Sequence, residues 1–324
     1  MKKLFAFTVA TCLALTGAIV HADDTYPQQT IRLVVPASPG GGADSIARLV
    51  SPGLSASLGQ PVVVDNKAGA SGTIAGNLVA KSKPNGYTLL MAQSTSIVIA
   101  PHIYEQLSYN TLKDLVPVTQ VIRVPNILVV NPQLPAKTVA EFIALAKAKP
   151  GALNFGSAGI GSPSHVAGEM FDKQTNIQMM HVPYQGSGPA VIALLANQIQ
   201  AMFAPISAVL PLIKSNKLRA LGVTTIMRQT ALPDIPTIAE SGVPGFDINS
   251  WFGVFVPAGT PPEIIARLNR DIVQVLKDPR VVSAIAQQAS QPVGNSPQEF
   301  STLVRNENQQ FAALIKEIGA QTMR

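Results

Sequence analysis

The chain has 324 residues, of which 47% are hydrophobic and 13% are charged, and its formal net charge is +6. This length suits two domains of ordinary size, and the few charges and 26 prolines argue against a disordered chain. Because the positive charge is modest and is not gathered into a basic run, nucleic acid is not expected as a partner.

Residues 1–22 have the pattern of a secretory signal peptide. Two lysines precede an apolar run over residues 4–20, and a small-x-small cleavage site ends at Ala22. The apolar run is too short for a membrane span, and no stop-transfer segment follows it. Cys12 is the single cysteine and lies inside this segment, so we expect a mature chain without a thiol, a disulfide or a cysteine metal site.

A strand predicted over residues 31–35 leads into a glycine-rich bend and then into a helix. The glycines 40–42 allow a small anion to approach the backbone N–H groups, and the start of a helix favours a carboxylate or phosphate there. A tight turn without any ligand explains the glycines equally well, and neither usual nucleotide-binding pattern is present. Asp44 is either a ligand contact or, more simply, a helix-start charge paired with Arg48.

The following segments continue the alternation of strands and helices. Strands are predicted over residues 60–66 and 87–92, and a helix opened by the glycines around Ser71 lies between them. Pro52 and the glycine after it are expected to kink or interrupt the first helix. Alternating strands and helices predict an α/β fold with a parallel sheet, and ligands are expected beyond the carboxyl ends of its strands.

Two extended runs over residues 116–121 and 126–130 are predicted to be the first crossing between domains. The return crossing is predicted over residues 251–256 and contains the single tryptophan, Trp251. We therefore expect the emission of Trp251 to change when the domains close.

The opening pattern recurs in the second half of the chain. A strand over residues 153–156 leads into a Gly/Ser bend over residues 157–162, where Ser162 is a good N-cap. Two such bends predict two helix N-termini that converge on one anionic ligand in a cleft. His165 beside the second bend either donates to that ligand or bonds to local backbone.

Later segments add two pocket candidates and several helix starts. Tyr184 and Ala204 lie at predicted strand ends, where they could line a pocket. Capping boxes begin at Thr138 and Thr237, and two long helices begin near residues 260 and 296. These C-terminal helices are expected to pack against the first domain.

An extracytoplasmic hydrolase, or a sensor module acting on carboxylates, is the alternative function. The chain lacks His-Glu-x-x-His, Gly-x-Ser-x-Gly and Ser-x-x-Lys motifs. We therefore predict no catalytic residue, no cofactor and no metal.

A series of short motifs spans nearly the whole mature chain. They are Tyr26-Pro27, Pro39-Gly40-Gly41, Leu58-Gly59-Gln60, Asn66-Lys67-Ala68-Gly69-Ala70, Asn85-Gly86-Tyr87-Thr88-Leu89, His181-Val182-Pro183-Tyr184, Pro236-Thr237-Ile238-Ala239-Glu240 and Trp251-Phe252-Gly253. In this order they resemble the Bug family, the periplasmic solute receptors of tripartite tricarboxylate transporters.

The resemblance implies a two-domain α/β periplasmic-binding-protein fold of type II, with a hinge of two crossing strands. Domain 1 would comprise residues 23–124 and 252–324, and domain 2 residues 125–251. It further implies a monomer in the periplasm that binds a small carboxylate and passes it to integral-membrane transporter subunits.

The resemblance also implies which residues bind the ligand, largely through backbone amides. They are Ala37, Ser38, Pro39, Gly40, Gly41, Gly42, Ala43, Asp44, Ser94, Thr95, Ser157, Ala158, Gly159, Gly161, Ser162 and His165. Many relatives have an acidic residue where Ala204 stands. The absence of an acidic side chain at this position argues against a ligand that carries an ammonium group and favours a simple carboxylate, aliphatic or aromatic.

Overall fold

The computed structural model describes residues 26–104 and 106–317. The predicted signal peptide, residues 1–22, and Cys12 lie outside the described residues. The strands are β1 (Ile31–Val35), β2 (Val62–Asn66), β3 (Thr88–Gln93), β4 (Leu115–Val130), β5 (Asn154–Ser157), β6 (Met180–Pro183), β7 (Ala201–Pro205), β8 (Arg219–Val223), β9 (Asn249–Pro257) and β10 (Gln291–Pro292).

Helices alternate with these strands, as the sequence predicts. They are α1 (Gly42–Leu58), α2 (Thr73–Ala80), α3 (Ala100–Ile103), α4 (Val139–Ala148), α5 (Pro163–Thr175), α6 (Ser187–Leu195), α7 (Ile206–Lys214), α8 (Pro262–Val275), α9 (Pro279–Gln287) and α10 (Pro297–Glu317). A 3₁₀ turn (Ala70–Gly72) precedes α2, and a π-helical turn (Thr95–Ile99) precedes α3. In the described part of the chain, no helix is both long enough and apolar enough to span a membrane.

The strands form one sheet in the order β2-β1-β3-β9-β4-β7-β5-β6, and β8 and β10 also pair with β4. β1 pairs in parallel with β2 and β3, and β5 pairs in parallel with β6 and β7. β4 and β9 run antiparallel to each other and join the two parallel groups. The predicted α/β fold is therefore confirmed, with two parallel groups of strands instead of one.

β4 is the longest strand and changes its partners along its length. Its residues from Leu115 to Pro125 pair with β9, whereas those from Asn126 to Val130 pair with β7 and β8. Both strands predicted to cross between domains therefore lie side by side at the centre of the sheet.

Buried apolar side chains form large clusters, one of which extends across both halves of the sheet from Val34 on β1 to Phe203 on β7. Another cluster joins β1 and α1 to α8 and includes Leu33 and Ile46, both fully or almost fully buried. In the cluster that extends across both halves, Phe155, Phe171 and Phe203 are completely buried. Burial of each such side chain stabilises the fold by about 1.5–3 kcal/mol.

Two local features differ from the expectations. α1 is not interrupted at Pro52 but continues to Leu58. The following Gly53 lies against α8, where an added Cβ would be 3.0 Å from Val275, so close helix packing holds this segment in place. The capping box at Thr237 forms, because Thr237 N–H donates to Glu240 Oε2 and Glu240 N–H donates to Thr237 Oγ1, but a turn follows it instead of a helix. In addition, helix α9 was not predicted.

Candidate functional site

A cavity of about 240 Å³, here called the inner chamber, lies between the two halves of the sheet. Its floor is formed by the crossing strands, with Ile122, Val124 and Asn126 from β4 and Ser250 and Phe252 from β9. A neighbouring cavity of about 380 Å³, the outer chamber, shares the wall residues Gln93, Ala158 and Pro163 with it.

Four helices begin at the inner chamber. Gly42 is the first residue of α1, Pro163 and Ser164 open α5, Ser187 opens α6, and Ser207 lies in the first turn of α7. The first N–H groups of a helix lack acceptors within that helix, and its N-terminus carries partial positive charge. The described lining includes no Lys, Arg, His, Asp or Glu side chain. The chamber is therefore suited to a small anion held by neutral donors.

The first bend uses two of its three glycine N–H groups internally. Gly40 N–H donates to Asp44 Oδ2 at 2.8 Å, and Gly41 N–H donates to the Ser38 carbonyl at 3.0 Å. No acceptor from the described residues bonds to the N–H groups of Gly42 and the next two residues. The donors available to a ligand therefore lie at the start of α1, from Gly42 onwards.

Asp44 is a structural group of this bend. Its carboxylate accepts hydrogen bonds from Arg48 Nε at 2.9 Å, from Gly40 N–H and from Asn66 Nδ2 at 2.9 Å, and these bonds lower its pKa to about 2. The simpler of the two sequence interpretations, a helix-start charge paired with Arg48, matches these contacts.

The second bend is held by hydroxyl groups. Ser162 Oγ accepts from the N–H of His165 as an N-cap, and Ser164 Oγ accepts from Ala158 N–H at 2.9 Å. Gly159 has φ +123°, a value that favours glycine, and an added Cβ would lie 3.3 Å from the Tyr184 carbonyl.

His165 lies behind the second bend. Its Nδ1 accepts from Gly161 N–H at 3.1 Å, so the ring proton resides on Nε2, which is 3.4 Å from Glu169 Oε1. Its ring stacks on His181 at a centroid distance of 3.9 Å, and the His181 Nε2 lies 2.6 Å from Ser157 Oγ. Burial and the neighbouring His165 lower the pKa of His181 to about 4.

His165, Glu169 and His181 bring possible metal-ligand atoms within 4.8 Å of one another. The two imidazole rings are stacked with planes inclined by only 21°, so their lone pairs lie in two nearly parallel planes and do not converge on one ion. The hydrogen bond to His165 Nδ1 also places a proton on the nitrogen that faces Glu169. This cluster is better suited to supporting the bend than to binding a metal.

The structure brings the two predicted bends to the same cavities. Four predicted residues line one or both chambers: Gly42, Thr95, Ala158 and Ser162. Ser94 does not line a chamber but contacts the lining residue Ser250, and the two Oγ atoms are 3.2 Å apart. The other predicted residues form the bends or lie outside the chamber lining, and they are Ala37, Ser38, Pro39, Gly40, Gly41, Ala43, Asp44, Ser157, Gly159, Gly161, His165, Tyr184 and Ala204.

Sequence reasoning missed the floor and two of the helix starts. Tyr184 packs partly buried against a core cluster, and Ala204 is completely buried, whereas the next residue, Pro205, lines the chamber. The alternation of side chains along β4 could have indicated the floor, because Ile122, Val124 and Asn126 are spaced two residues apart and therefore share one face of the strand.

Comparison with known proteins places this geometry in a family. Residues 46–320 match the model of the tripartite tricarboxylate transporter family receptor, TctC. The chain is 41% identical over 322 residues to the protein BugT of Bordetella pertussis, covering 99% of this chain and 98% of BugT.

Two solved structures are similar to this chain in fold and sequence. Rpa4515 of R. palustris, solved with adipate, is 35% identical with a TM-score of 0.77 and matches 91% of this chain and 98% of its own. MatC from Rhodopseudomonas palustris, solved with bound malate, is 31% identical with a TM-score of 0.73, and the match covers 90% of this chain and 100% of MatC.

The family model and these relatives also settle the choice between an enzyme and a receptor, because members of the family are solute-binding receptors. The chain belongs to the TctC family of tripartite tricarboxylate transporter receptors, which includes the Bug proteins.

Proposed function

We propose that this receptor captures a small carboxylate in the inner chamber, between a domain of residues 23–124 and 252–324 and a second domain of residues 125–251. The observation that carries the proposal is the set of four helix starts around a chamber whose described lining has no charged side chain. Each N–H bond to an ionised oxygen contributes about 1.5–3 kcal/mol.

The apolar part of the lining favours a ligand with a hydrocarbon portion. Ile46, Ile122, Val124 and Phe252 all contribute to the wall. A dicarboxylate or an aromatic carboxylate offers both the anionic oxygens and the apolar surface that such a lining accommodates. The similar proteins solved with adipate and malate support a carboxylate ligand.

Binding would close the two halves of the sheet around the crossing strands β4 and β9. A carboxylate docked at the start of α1 then attracts the starts of α5, α6 and α7 from the other half. The loaded receptor, a monomer exported to the periplasm by its signal peptide, delivers the ligand to the membrane subunits of a tripartite transporter.

Thermal-shift screening of mono-, di-, tri- and aromatic carboxylates, followed by calorimetry, tests this proposal. At least one carboxylate should raise the melting temperature and be recovered chemically unchanged. Stabilisation by amines or neutral sugars, with none by any carboxylate, would contradict it.

A further inference from the structure

Gln93 lies in the wall between the inner chamber and the outer chamber. The two cavities, of about 240 and 380 Å³, share three wall residues, Gln93, Ala158 and Pro163. We infer that Gln93 determines the length of ligand that the receptor accepts, because a carboxylate that fills the inner chamber ends against this side chain. The inference rests on the proposed function and names the size class of its ligand.

The shared wall is built from both halves of the sheet. Gln93 ends β3, whereas Ala158 follows β5 and Pro163 is the first residue of α5. Alanine and proline have no side-chain rotamer freedom to lose, so the second bend offers a rigid surface to the wall. Gln93 has a flexible side chain and is the member of the wall whose size can be changed without altering the second bend.

The place of Gln93 in the sheet directs its side chain to the inner chamber. Gln93 lies opposite Phe252 in the antiparallel pair of β3 and β9. Residues directly opposite each other share one face of a sheet, and Phe252 lines the inner chamber. Gln93 Nε2 also donates to Ser250 Oγ at 3.3 Å, and Ser250 lines the same chamber. The side chain therefore lies at the edge of the inner chamber.

The backbone of Gln93 is held more firmly than its amide group. Its carbonyl accepts from Ser96 Oγ at 2.8 Å. The bond from Nε2 to Ser250 is long for an N–H···O hydrogen bond, and no described residue donates to Oε1. Gln93 is partly exposed, so a ligand can reach its side chain. The side chain can therefore be replaced with little effect on the fold.

The outer chamber suits the far end of a longer ligand. Its described lining has no charged side chain, but it includes the hydroxyl groups of Ser71 and Thr95. The inner chamber combines the start of α1 at Gly42 with the apolar side chains of Ile122 and Val124. A longer dicarboxylate would therefore find polar partners for its far carboxylate in the outer chamber, if the way past Gln93 were open.

Closure of the two halves makes the wall selective. A ligand that ends within the inner chamber leaves room for Gln93 to approach Ala158 and Pro163 as the halves close. A ligand that projects past Gln93 would lie between the halves and hold them apart. The cost of this obstruction lowers the affinity of the longer ligand relative to the shorter one.

Calorimetry with homologous ligands tests the inference. The probes are linear dicarboxylates of four to nine carbons and the series from phenylacetate to 6-phenylhexanoate. In wild type, affinity should rise with chain length and then fall once the ligand outgrows the inner chamber. In Gln93→Ala it should continue to rise, by about fourfold for each further methylene group that is buried, so that the best ligand is at least one carbon longer.

Two variants control for other effects of the substitution. Gln93→Met keeps a long, unbranched side chain but removes the amide, so it should keep the best length of wild type. Gln174→Ala makes the same change of residue at an exposed position of α5 that lines neither chamber, and it should also bind like wild type. Thermal melting of each ligand-free variant verifies that it is folded.

The same best length in wild type and Gln93→Ala, or an equal shift in Gln93→Met, would overturn the inference and leave the proposed carboxylate receptor standing. Binding of other carboxylates but of neither series would have the same consequence. If no carboxylate binds to wild type, the proposed function fails and the inference fails with it.

Discussion

Gly42→Ala tests the role of the helix start at the inner chamber most selectively. Gly42 lines the chamber as the first residue of α1, and its added methyl would meet only Phe252 Cζ, at the ordinary contact distance of 3.6 Å. By contrast, an added Cβ at Gly41 would lie 3.1 Å from the Ser38 carbonyl and would disturb the bend itself. The methyl at Gly42 therefore occupies ligand space without strain.

The expected effects on stability and on affinity have opposite signs. Alanine is a better helix former than glycine by up to about 1 kcal/mol, so the ligand-free variant should be as stable as wild type or more stable. Obstructing one N–H bond to an ionised oxygen should cost about 1.5–3 kcal/mol of binding, which raises Kd about 10- to 150-fold.

The assay is calorimetric titration of wild type and variant with one carboxylate that binds wild type. Gly188→Ala is the control, because Gly188 also lies in the first turn of a helix, its added methyl meets no atom within 4 Å, and it does not line either chamber. Wild-type affinity in Gly42→Ala, or an equal loss in Gly188→Ala, would refute the reasoning.

Three further predictions concern charge and the crossing strands. Asp44→Asn should weaken binding less than Gly42→Ala does. Because the pKa of Asp44 is lowered from 3.8 to about 2, the stabilising effect of its carboxylate is present above pH 4 and is lost towards pH 2. A difference in urea midpoint between wild type and Asp44→Asn that stays constant from pH 4 to pH 2 would argue against this. Burial raises the pKa of Glu307, whose Oε2 accepts from Trp251 Nε1 at 2.7 Å, from 4.5 to about 7. Wild type should therefore lose stability relative to Glu307→Gln as the pH rises from 5 to 8, by on the order of 3 kcal/mol. Asp172 and His181 also have shifted pKa values but are present in both proteins, so parallel urea midpoints for the two would contradict this. Trp251 is completely buried on β9, so its emission should change when a carboxylate closes the protein, and an unchanged spectrum with a calorimetrically proven ligand would remove it as a reporter of closure.

The sequence predicted the features that are local along the chain. Glycines 40–42 marked the first bend, and Ser162 with Pro163 marked the start of α5, because each signal lies within a few residues of the structure that it produces. The same local logic explains why Thr138 caps α4 as expected, with its Oγ1 accepting from Glu141 N–H at 3.1 Å.

The features that it did not predict depend on contacts between distant segments. The chamber floor exists because Ile122 pairs with Phe252, which is 130 residues further along the chain. The starts of α6 and α7 lack a side-chain cap, so no capping residue marks their entry into the site. The unpaired side chain of Asn126 likewise becomes visible only when every neighbouring donor and acceptor is placed.

A crystal structure of the receptor with a bound carboxylate tests the central claim most directly. The account predicts that the carboxylate oxygens lie in the inner chamber, within hydrogen-bond distance of N–H groups at the start of α1 and of at least one of α5, α6 and α7. A carboxylate held instead by a lysine or arginine side chain, or bound outside the inner chamber, would contradict the account.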